Sequence, residues 1–245
     1  MIKHTRDAFF DGRVHILQPK HGFRAGTDSL LLAAALPSDL EGEVLEMGAG
    51  AGGAFLPAMY RLPKSRFVGL EKDPDMVALA EQSLDANGFG SRGHIMQGDV
   101  SKVPAEWQNR FDLVFSNPPF FETGSIQDPA PGKENAYLDS VGLKPWINAM
   151  LFALRPKGRF IMVHRAADLA RILSLLERQS GEITVLPVYS YPGSDAKRVL
   201  ISARKGLRPG PLGLLDAKYL YATKGGERTD WALAMQRDGT GIDWN

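Results

Sequence analysis

An alternation of short apolar runs with longer helix-like segments, between residues 43 and 205, most strongly constrains how this chain can fold. Strands that alternate with helices are typical of a parallel sheet covered by helices on both faces. An α/β fold with a mostly parallel sheet of about seven strands is therefore expected. The predicted strands cover residues 43–50, 65–73, 93–100, 110–119, 158–164, 182–190 and 196–205.

Helical segments fit between most of these strands. The clearest covers residues 73–88, where Asp73 can cap the first turn, Pro74 takes the first helical position and Gly88 ends the helix. Two further predicted helices cover residues 146–158 and 166–180. The last two strands have only the turn-rich sequence YPGSD between them, so we expect them to pair as an antiparallel C-terminal hairpin at one edge of the sheet.

Composition excludes several kinds of protein. The chain has 245 residues, of which 44% are hydrophobic and 23% charged, as in an ordinary globular protein. No apolar run approaches the roughly 18 residues that span a bilayer, and the first residues, MIKHTRDAFFDGR, lack the apolar stretch of a secretory signal. Without cysteine, the chain can form neither disulfides nor thiolate metal sites. A cytoplasmic protein without a membrane segment is expected.

The glycine-rich sequence LEMGAGAGG follows the first predicted strand of the sheet and precedes a helix. In that position a glycine turn lets the backbone approach a nucleotide closely. Gly48, Gly50 and Gly53 also match the spacing G-x-G-x-x-G, so the glycines alone leave a nicotinamide or flavin cofactor open. A tight turn without any ligand is the structural alternative.

Acidic residues near the ends of three successive strands favour S-adenosyl-L-methionine as the cofactor. Glu46 lies two residues before Gly48, where an acid could face the amino-acid part of the ligand, and the dinucleotide pattern specifies no acid there. Glu71 could accept hydrogen bonds from both ribose hydroxyls, a role that NAD enzymes share, and Asp99 could accept one from the adenine amino group. Any single one of these acids could instead be a surface turn residue or a helix cap. The candidate cofactor contacts in this region are Glu46, Gly48, Ala49, Gly50, Glu71, Lys72, Asp99 and Val100.

The fourth predicted strand ends in Asn117, Pro118, Pro119 and Phe120, which matches the amino-methyltransferase tetrapeptide Asp/Asn/Ser-Pro-Pro-Tyr/Phe. An adenine amino nitrogen is a poor nucleophile because its lone pair is delocalised into the ring. The Asn117 side-chain oxygen and the Pro118 carbonyl could hold its two hydrogens, so that the lone pair points at the methyl group. The prolines stiffen the turn, and Phe120 offers a face on which a base can stack. The sulfonium donor is already activated, so the chemistry needs no metal. These four residues are the predicted catalytic group, with Asn117 also beside the cofactor.

Five segments together resemble the bacterial tRNA1(Val) adenine-N6 methyltransferase family. They are LQPKHGFRAGTDSLLLAAALP, LEMGAGAGG, VGLEKD, SNPPFF and KRVLISA. The resemblance spans residues 9–205 and implies a Rossmann-like class I methyltransferase that modifies the adenine beside the anticodon. It also implies that Thr27 and Asp28 border the methionine end of the cofactor. The tetrapeptide is shared with methylases of ribosomal RNA guanine, DNA adenine and protein glutamine, so these acceptors stay open.

A long polar segment, residues 121–142, follows the proposed active site and is expected to close over the substrate nucleotide. Loosely spaced basic residues lie on both sides of the cofactor segments, and an ordinary solvated surface is an equally good explanation for them. The candidate contacts to a tRNA substrate are Arg24, Phe120, Phe121, Lys133, Tyr137 and Arg198.

The domain organisation expected from the sequence has three parts, and a monomer is expected. Residues 1–26 form an N-terminal extension with a small hairpin, and residues 27–205 form the S-adenosylmethionine-dependent methyltransferase domain. Residues 206–245 form a tail that packs on this domain.

Overall fold

The computed structural model describes residues 2–22, 24–120 and 142–244 of the chain. Strands and helices alternate through most of this range. The helices are α1 (Thr27–Ala35), α2 (Phe55–Arg61), α3 (Pro74–Ala86), α4 (Leu143–Ala153), α5 (Leu169–Leu176) and α6 (Asp230–Asp238). The strands are β1 (His4–Phe9), β2 (Val14–Pro19), β3 (Glu43–Met47), β4 (Arg66–Glu71), β5 (Gly93–Gln97), β6 (Phe111–Ser116), β7 (Leu154–Arg165), β8 (Ser180–Tyr189), β9 (Ala196–Lys205), β10 (Gly213–Leu214) and β11 (Lys218–Tyr219).

The central sheet has the strand order β10-β8-β9-β7-β6-β3-β4-β5, with β11 also paired to β8. Strands β3 to β7 pair in parallel, and β9 runs antiparallel to both β7 and β8. The mostly parallel sheet with an antiparallel hairpin near its end is confirmed. Because β3 to β7 are parallel, their carboxyl ends all lie at one edge of the sheet, where the amino end of β9 also lies.

Two apolar clusters cover the two faces of this sheet, so helices pack on both sides as expected. One cluster joins α1, α2 and α3 to the sheet through residues such as Leu31, Phe55 and Ile161. The other joins α4 and α5 through residues such as Ile147 and Ile172. The middle of the sheet is therefore buried between these two clusters.

The predicted helix over residues 146–158 is wrong at its end. Helix α4 stops at Ala153, and Leu154 already pairs with Phe111 as the first residue of β7. Pro156 has no N–H to donate, and its ring would clash with the preceding turn if the helix continued, which explains the early stop. Of the predicted helix over 166–180, only Leu169–Leu176 forms α5, and Ser180 already belongs to β8. By contrast, Asp73 caps α3 as predicted, accepting a hydrogen bond of 2.9 Å from the Asp75 N–H.

The two ends of the chain lie against the sheet and its helices. Strands β1 and β2 form an antiparallel hairpin, and the N–H of Leu17 donates to the Ser83 hydroxyl on α3. Near the other end, Trp244 Nε1 donates to the Ala35 carbonyl at 2.7 Å. The short strands β10 and β11 extend the sheet beyond the predicted strands, since two-residue pieces have no detectable periodicity. Within the described ranges, no helix is long and apolar enough to cross a membrane.

Candidate active site

The glycine turn after β3 depends on residues without a side chain. Gly48 and Gly50 have φ angles of +75° and +55°, in the left-handed region. A Cβ atom at Gly48 would lie 2.9 Å from the Trp146 ring, and one at Gly53 would lie 2.5 Å from the Cβ of Ala25. Helix α4 and the segment before α1 therefore both pack closely against the glycine turn.

Glu46 lies inside β3, immediately before this turn. Its side chain is 2% exposed, and its Oε2 has no hydrogen-bond partner among the described residues. Burial, together with the nearby charge of Glu71, raises the pKa of the Glu46 carboxyl well above its ordinary value. A buried carboxylate oxygen without a partner fits a cationic group, such as the ammonium of a methionine moiety.

Glu71, at the end of β4, is oriented by two backbone N–H groups. Its Oε2 accepts from Gly50 at 2.7 Å, and its Oε1 accepts from Asp73 at 2.8 Å. The N–H of Gly48 and that of Ala49 both donate to the Leu70 carbonyl, which ties the glycine turn to this strand. Glu71 therefore lies beside the turn, where a ribose of the cofactor would reach it.

Asp99 follows β5 and completes the row of acids at this edge of the sheet. Its Oδ1 accepts from the Ser101 N–H at 2.8 Å, and its Oδ2 lies 3.0 Å from Lys72 Nζ. Burial acts to raise the pKa of Asp99, but the hydrogen bonds from Ser101 and the charge of Lys72 outweigh it, so the pKa is lowered. Val100 is buried next to it. The structure thus brings the predicted residues of three adjacent strands together.

Thr27 and Asp28 are the first two residues of α1. The nearby residues Ala25 and Ser29 would be met by a Cβ atom at Gly53, so this segment borders the glycine turn. Asp28 accepts a hydrogen bond of 2.7 Å from Nε of Arg198, a predicted RNA contact.

Arg24, next to Ala25 in the same segment, contacts the β1–β2 hairpin. Its guanidinium donates to the Pro19 carbonyl at 2.8 Å and to the hydroxyl of Thr5 at 3.0 Å. It also pairs with Asp7 at 2.5 Å. Arg24 therefore fastens this segment to the β1–β2 hairpin.

The segment Asn117–Phe120 follows β6, next to β3 in the sheet. Pro118 is buried, while Asn117 and Pro119 are half-buried. Phe120 is 41% exposed and is the only exposed Phe, Tyr or Trp among residues 2–22, 24–120 and 142–244. A partly exposed aromatic ring directly after a rigid turn offers accessible surface on which a base can stack.

Two residues that were not predicted from the sequence lie against Phe120. His164 and Arg165 end β7, and the His164 ring meets Phe120 edge to face at 5.7 Å between centroids. The guanidinium carbons of Arg165 and Arg198 both lie 4.9 Å from the centroid of Phe120. The sequence does indicate a role for them, because His164 and Arg165 end a parallel strand and therefore lie at the same edge of the sheet as the acids.

His164 is almost completely buried, and its Nδ1 lies 3.2 Å from Asp168 without the geometry of a hydrogen bond. Burial is the main cause that lowers its pKa, so the ring is favoured in its neutral form. The predicted contacts Phe121, Lys133 and Tyr137, and nearly all of the segment expected to close over the substrate, lie outside the described residues. Among the residues that are described, no group of three or more His, Cys, Asp and Glu is placed to hold a metal ion.

The chain is similar to known methyltransferases over most of its length. The family model described as "Methyltransferase small domain" matches residues 23–133. A Porphyromonas gingivalis tRNA1(Val) (adenine(37)-N6)-methyltransferase is 31% identical over 205 residues, which cover 79% of either chain. A Shewanella baltica protein of the same name is 26% identical over 196 residues, covering 79% of this chain and 82% of that protein.

Solved structures share the fold. A protein of Agrobacterium tumefaciens described as a predicted O-methyltransferase has a TM-score of 0.72, with 23% identity over 88% of this chain and 98% of that one. The 16S rRNA N2 G1207 methyltransferase of T. thermophilus, in complex with AdoMet and guanosine, has a TM-score of 0.57. It is 24% identical and covers 83% of this chain and 50% of that chain.

The sheet order and the matched relatives define a class I, S-adenosylmethionine-dependent methyltransferase. Within this class, the chain belongs to the tRNA1(Val) (adenine(37)-N6)-methyltransferase family.

Proposed function

We propose that this enzyme transfers a methyl group from S-adenosylmethionine to the exocyclic N6 of the adenine beside the anticodon of tRNA1(Val). The observation that carries the proposal is the placement of Asn-Pro-Pro-Phe at the end of β6, beside the acid-lined glycine turn after β3. Relatives over most of the chain are named for this activity.

The row of acids would hold the cofactor. Glu46 would accept from the methionine ammonium, Glu71 from the ribose hydroxyls, and Asp99 from the adenine amino group. Gly48 and Gly50 leave room for close approach of the ligand, while Thr27 and Asp28 would border its methionine end. When bound, S-adenosylmethionine supplies a methyl group on a sulfonium, which is activated without any metal.

The turn after β6 would hold the target base. The side-chain oxygen of Asn117 and the carbonyl of Pro118 accept the two amino hydrogens, which directs the nitrogen lone pair toward the methyl group. Each hydrogen bond contributes about 0.5–1.5 kcal/mol, and more in a dry, preorganised site. Positioning the reacting atoms about 3–3.5 Å apart accounts for most of the rate enhancement.

Phe120 would stack on the adenine after the base leaves the anticodon loop. Stacking contributes roughly 1–3 kcal/mol for a base, against a cost of a few kcal/mol for extruding it. Arg198, with Lys133 and Tyr137, would offset the remainder through contacts to the RNA. Arg24 would act from the N-terminal side, and Phe121 would form a second wall of the base pocket.

We also propose a monomeric, cytoplasmic enzyme, with the methyltransferase domain spanning residues 27–205. A tRNA substrate supports the cytoplasmic location. The monomer is supported by the small number of large apolar side chains that are exposed in the part of the chain that is described. Size-exclusion chromatography with light scattering tests the monomer, and a mass of twice 26.8 kDa would contradict it.

Transfer of a labelled methyl group to RNA tests the substrate. We expect label in N6-methyladenosine of unmodified tRNA1(Val), and none in a transcript whose target adenine is replaced by guanine. Label in guanosine or in protein, with none in tRNA adenosine, would contradict the substrate assignment. Calorimetry with S-adenosylmethionine and with NAD tests the cofactor independently of the RNA. Tight binding of NAD with no binding of S-adenosylmethionine would contradict the proposed cofactor.

A further inference from the structure

Arg165 and Arg198 are directly opposite each other in the β7–β9 ladder. Like charges at directly opposite positions on neighbouring strands destabilise a sheet. The pair lies where the carboxyl end of β7 meets the amino end of β9, at the edge that carries the proposed active site. A sheet edge that tolerates two adjacent guanidinium groups therefore needs a source of compensation.

Two carboxylates hold these guanidinium groups in place. Asp28 accepts from Nε of Arg198 at 2.7 Å, and Oδ2 of Asp168 accepts from Nε of Arg165 at 3.0 Å and also lies 3.0 Å from its Nη2. The arginine side chains stay partly accessible, with 27% and 31% of their surfaces exposed. Each guanidinium is thus oriented by a carboxylate, while part of each arginine side chain stays exposed.

The aromatic ring of Phe120 links the two arginines. Both guanidinium carbons lie over this ring, each 4.9 Å from its centroid. A planar guanidinium stacked on an aromatic ring loses little further freedom when it binds an anion, and its forked N–H groups match phosphate geometry. The cations are therefore fixed beside the surface on which the target base would stack.

We propose that Arg165 and Arg198 form a binding site for the phosphodiester group adjoining the methylated adenosine. This inference rests on the proposed function and names how the same site recognises RNA. When a base leaves its stack, the phosphates of its own nucleotide move with it. An anion-binding site next to Phe120 could therefore bind such a phosphate when the base stacks on Phe120. Asp28 then acts through Arg198 on the substrate, in addition to bordering the cofactor.

Salt-dependent RNA binding tests the proposal. Wild type, Arg165→Gln and Arg198→Gln are titrated with a synthetic anticodon stem-loop at several salt concentrations. We expect each variant to bind about 10- to 100-fold more weakly at low salt, as for loss of a charge-assisted contact. The slope of log K against log salt should decrease by about 1. Arg171→Gln, an exposed arginine on α5, is the matched control and should leave both quantities unchanged.

A modified RNA makes the test specific for the phosphate. A stem-loop with an uncharged methylphosphonate beside the target adenine should weaken wild-type binding about as much as Arg165→Gln does. The same RNA should have little further effect on that variant, because the two changes remove one interaction. Arg165→Lys should restore part of the affinity and the salt slope, since it keeps the charge.

Other outcomes would overturn the inference. The arginine variants could lose the same RNA affinity at every salt concentration, and this loss could add fully to that caused by the methylphosphonate. That result would mean that the arginines only support Phe120. Loss of S-adenosylmethionine affinity with unchanged RNA binding would assign them to the methionine carboxylate. Wild-type protein that binds S-adenosylmethionine but no RNA would contradict the proposed function itself, whereas normal wild-type binding with unaffected variants contradicts only the phosphate site.

Discussion

Nε1 of Trp146 donates a hydrogen bond of 2.9 Å to the hydroxyl of Ser116, the residue directly before Asn117. The same hydroxyl donates to the Met47 carbonyl at 2.6 Å. Helix α4, the end of β6 and the end of β3 are thereby joined through one buried oxygen. This arrangement holds the turn that would grip the substrate in a set position relative to the turn that would hold the cofactor.

Replacing Ser116 by alanine should therefore affect both stability and catalysis. The buried Met47 carbonyl and the indole N–H would each lose a partner, so we expect a loss of about 1–3 kcal/mol in the free energy of unfolding. We also expect kcat to decrease while the affinity for S-adenosylmethionine changes less. Urea denaturation and steady-state kinetics measure these effects, and the exposed Ser174→Ala is the control. Similar behaviour of the two variants would show that the Ser116 hydrogen bonds are not important.

Replacing Asn117 by alanine should separate catalysis from cofactor binding. Loss of one acceptor for the target amino group should lower kcat by about 100- to 1,000-fold, as for other preorganised hydrogen bonds in active sites. Asn117→Asp keeps an oxygen acceptor and should retain much more activity. Single-turnover methyl transfer and calorimetry give the two quantities. A large loss of S-adenosylmethionine affinity in Asn117→Ala would mean that the side chain holds the cofactor instead.

Glu46 should make stability and cofactor binding depend on pH. Its pKa is raised in the folded protein, so its contribution favours folding at acidic pH and is lost as the pH rises through the folded pKa. Glu46→Gln should therefore be more stable than wild type at neutral pH, and this advantage should disappear below the ordinary glutamate value of 4.5. Urea denaturation over a pH series measures the difference, and a constant difference would contradict the shift.

Binding of S-adenosylmethionine should release protons from the same carboxyl. The methionine ammonium favours the ionised form of Glu46, so binding should lower its pKa. Calorimetry in two buffers of different ionisation enthalpy detects the released protons. Glu46→Gln should bind more weakly and release fewer protons. An unchanged affinity in this variant would remove Glu46 from the cofactor site.

Phe120 should contribute to RNA binding as well as to folding. Because the ring contacts His164, Arg165 and Arg198, Phe120→Ala should lower the free energy of unfolding by about 1–2 kcal/mol. Loss of base stacking should raise the KM for tRNA by about 5- to 150-fold, while Phe120→Tyr should behave like wild type. Leu212→Ala, at another exposed apolar side chain, is the control for nonspecific effects. A tRNA KM unchanged in Phe120→Ala would contradict stacking.

Much of the fold and of the site could be predicted because both depend on local patterns. Periodicity placed the central strands, and Asp73, Pro74 and Gly88 marked α3 because capping depends on adjacent residues. The acids Glu46, Glu71 and Asp99 could be grouped because parallel strands end at a common edge. The stop of α4 before Pro156 was missed, although proline carries a local signal for it.

The sequence by itself determined the α/β sheet, the glycine turn with its acids, and the rigid Asn-Pro-Pro-Phe segment, since each is encoded by neighbouring residues. Only the tertiary structure decided what surrounds Phe120. The partners Asp28 and Arg198 are 170 residues apart in the chain, and Arg165 meets Arg198 because β9 inserts antiparallel between β7 and β8. Strand order and register bring these charges together, because contacts between distant residues depend on how the whole chain packs.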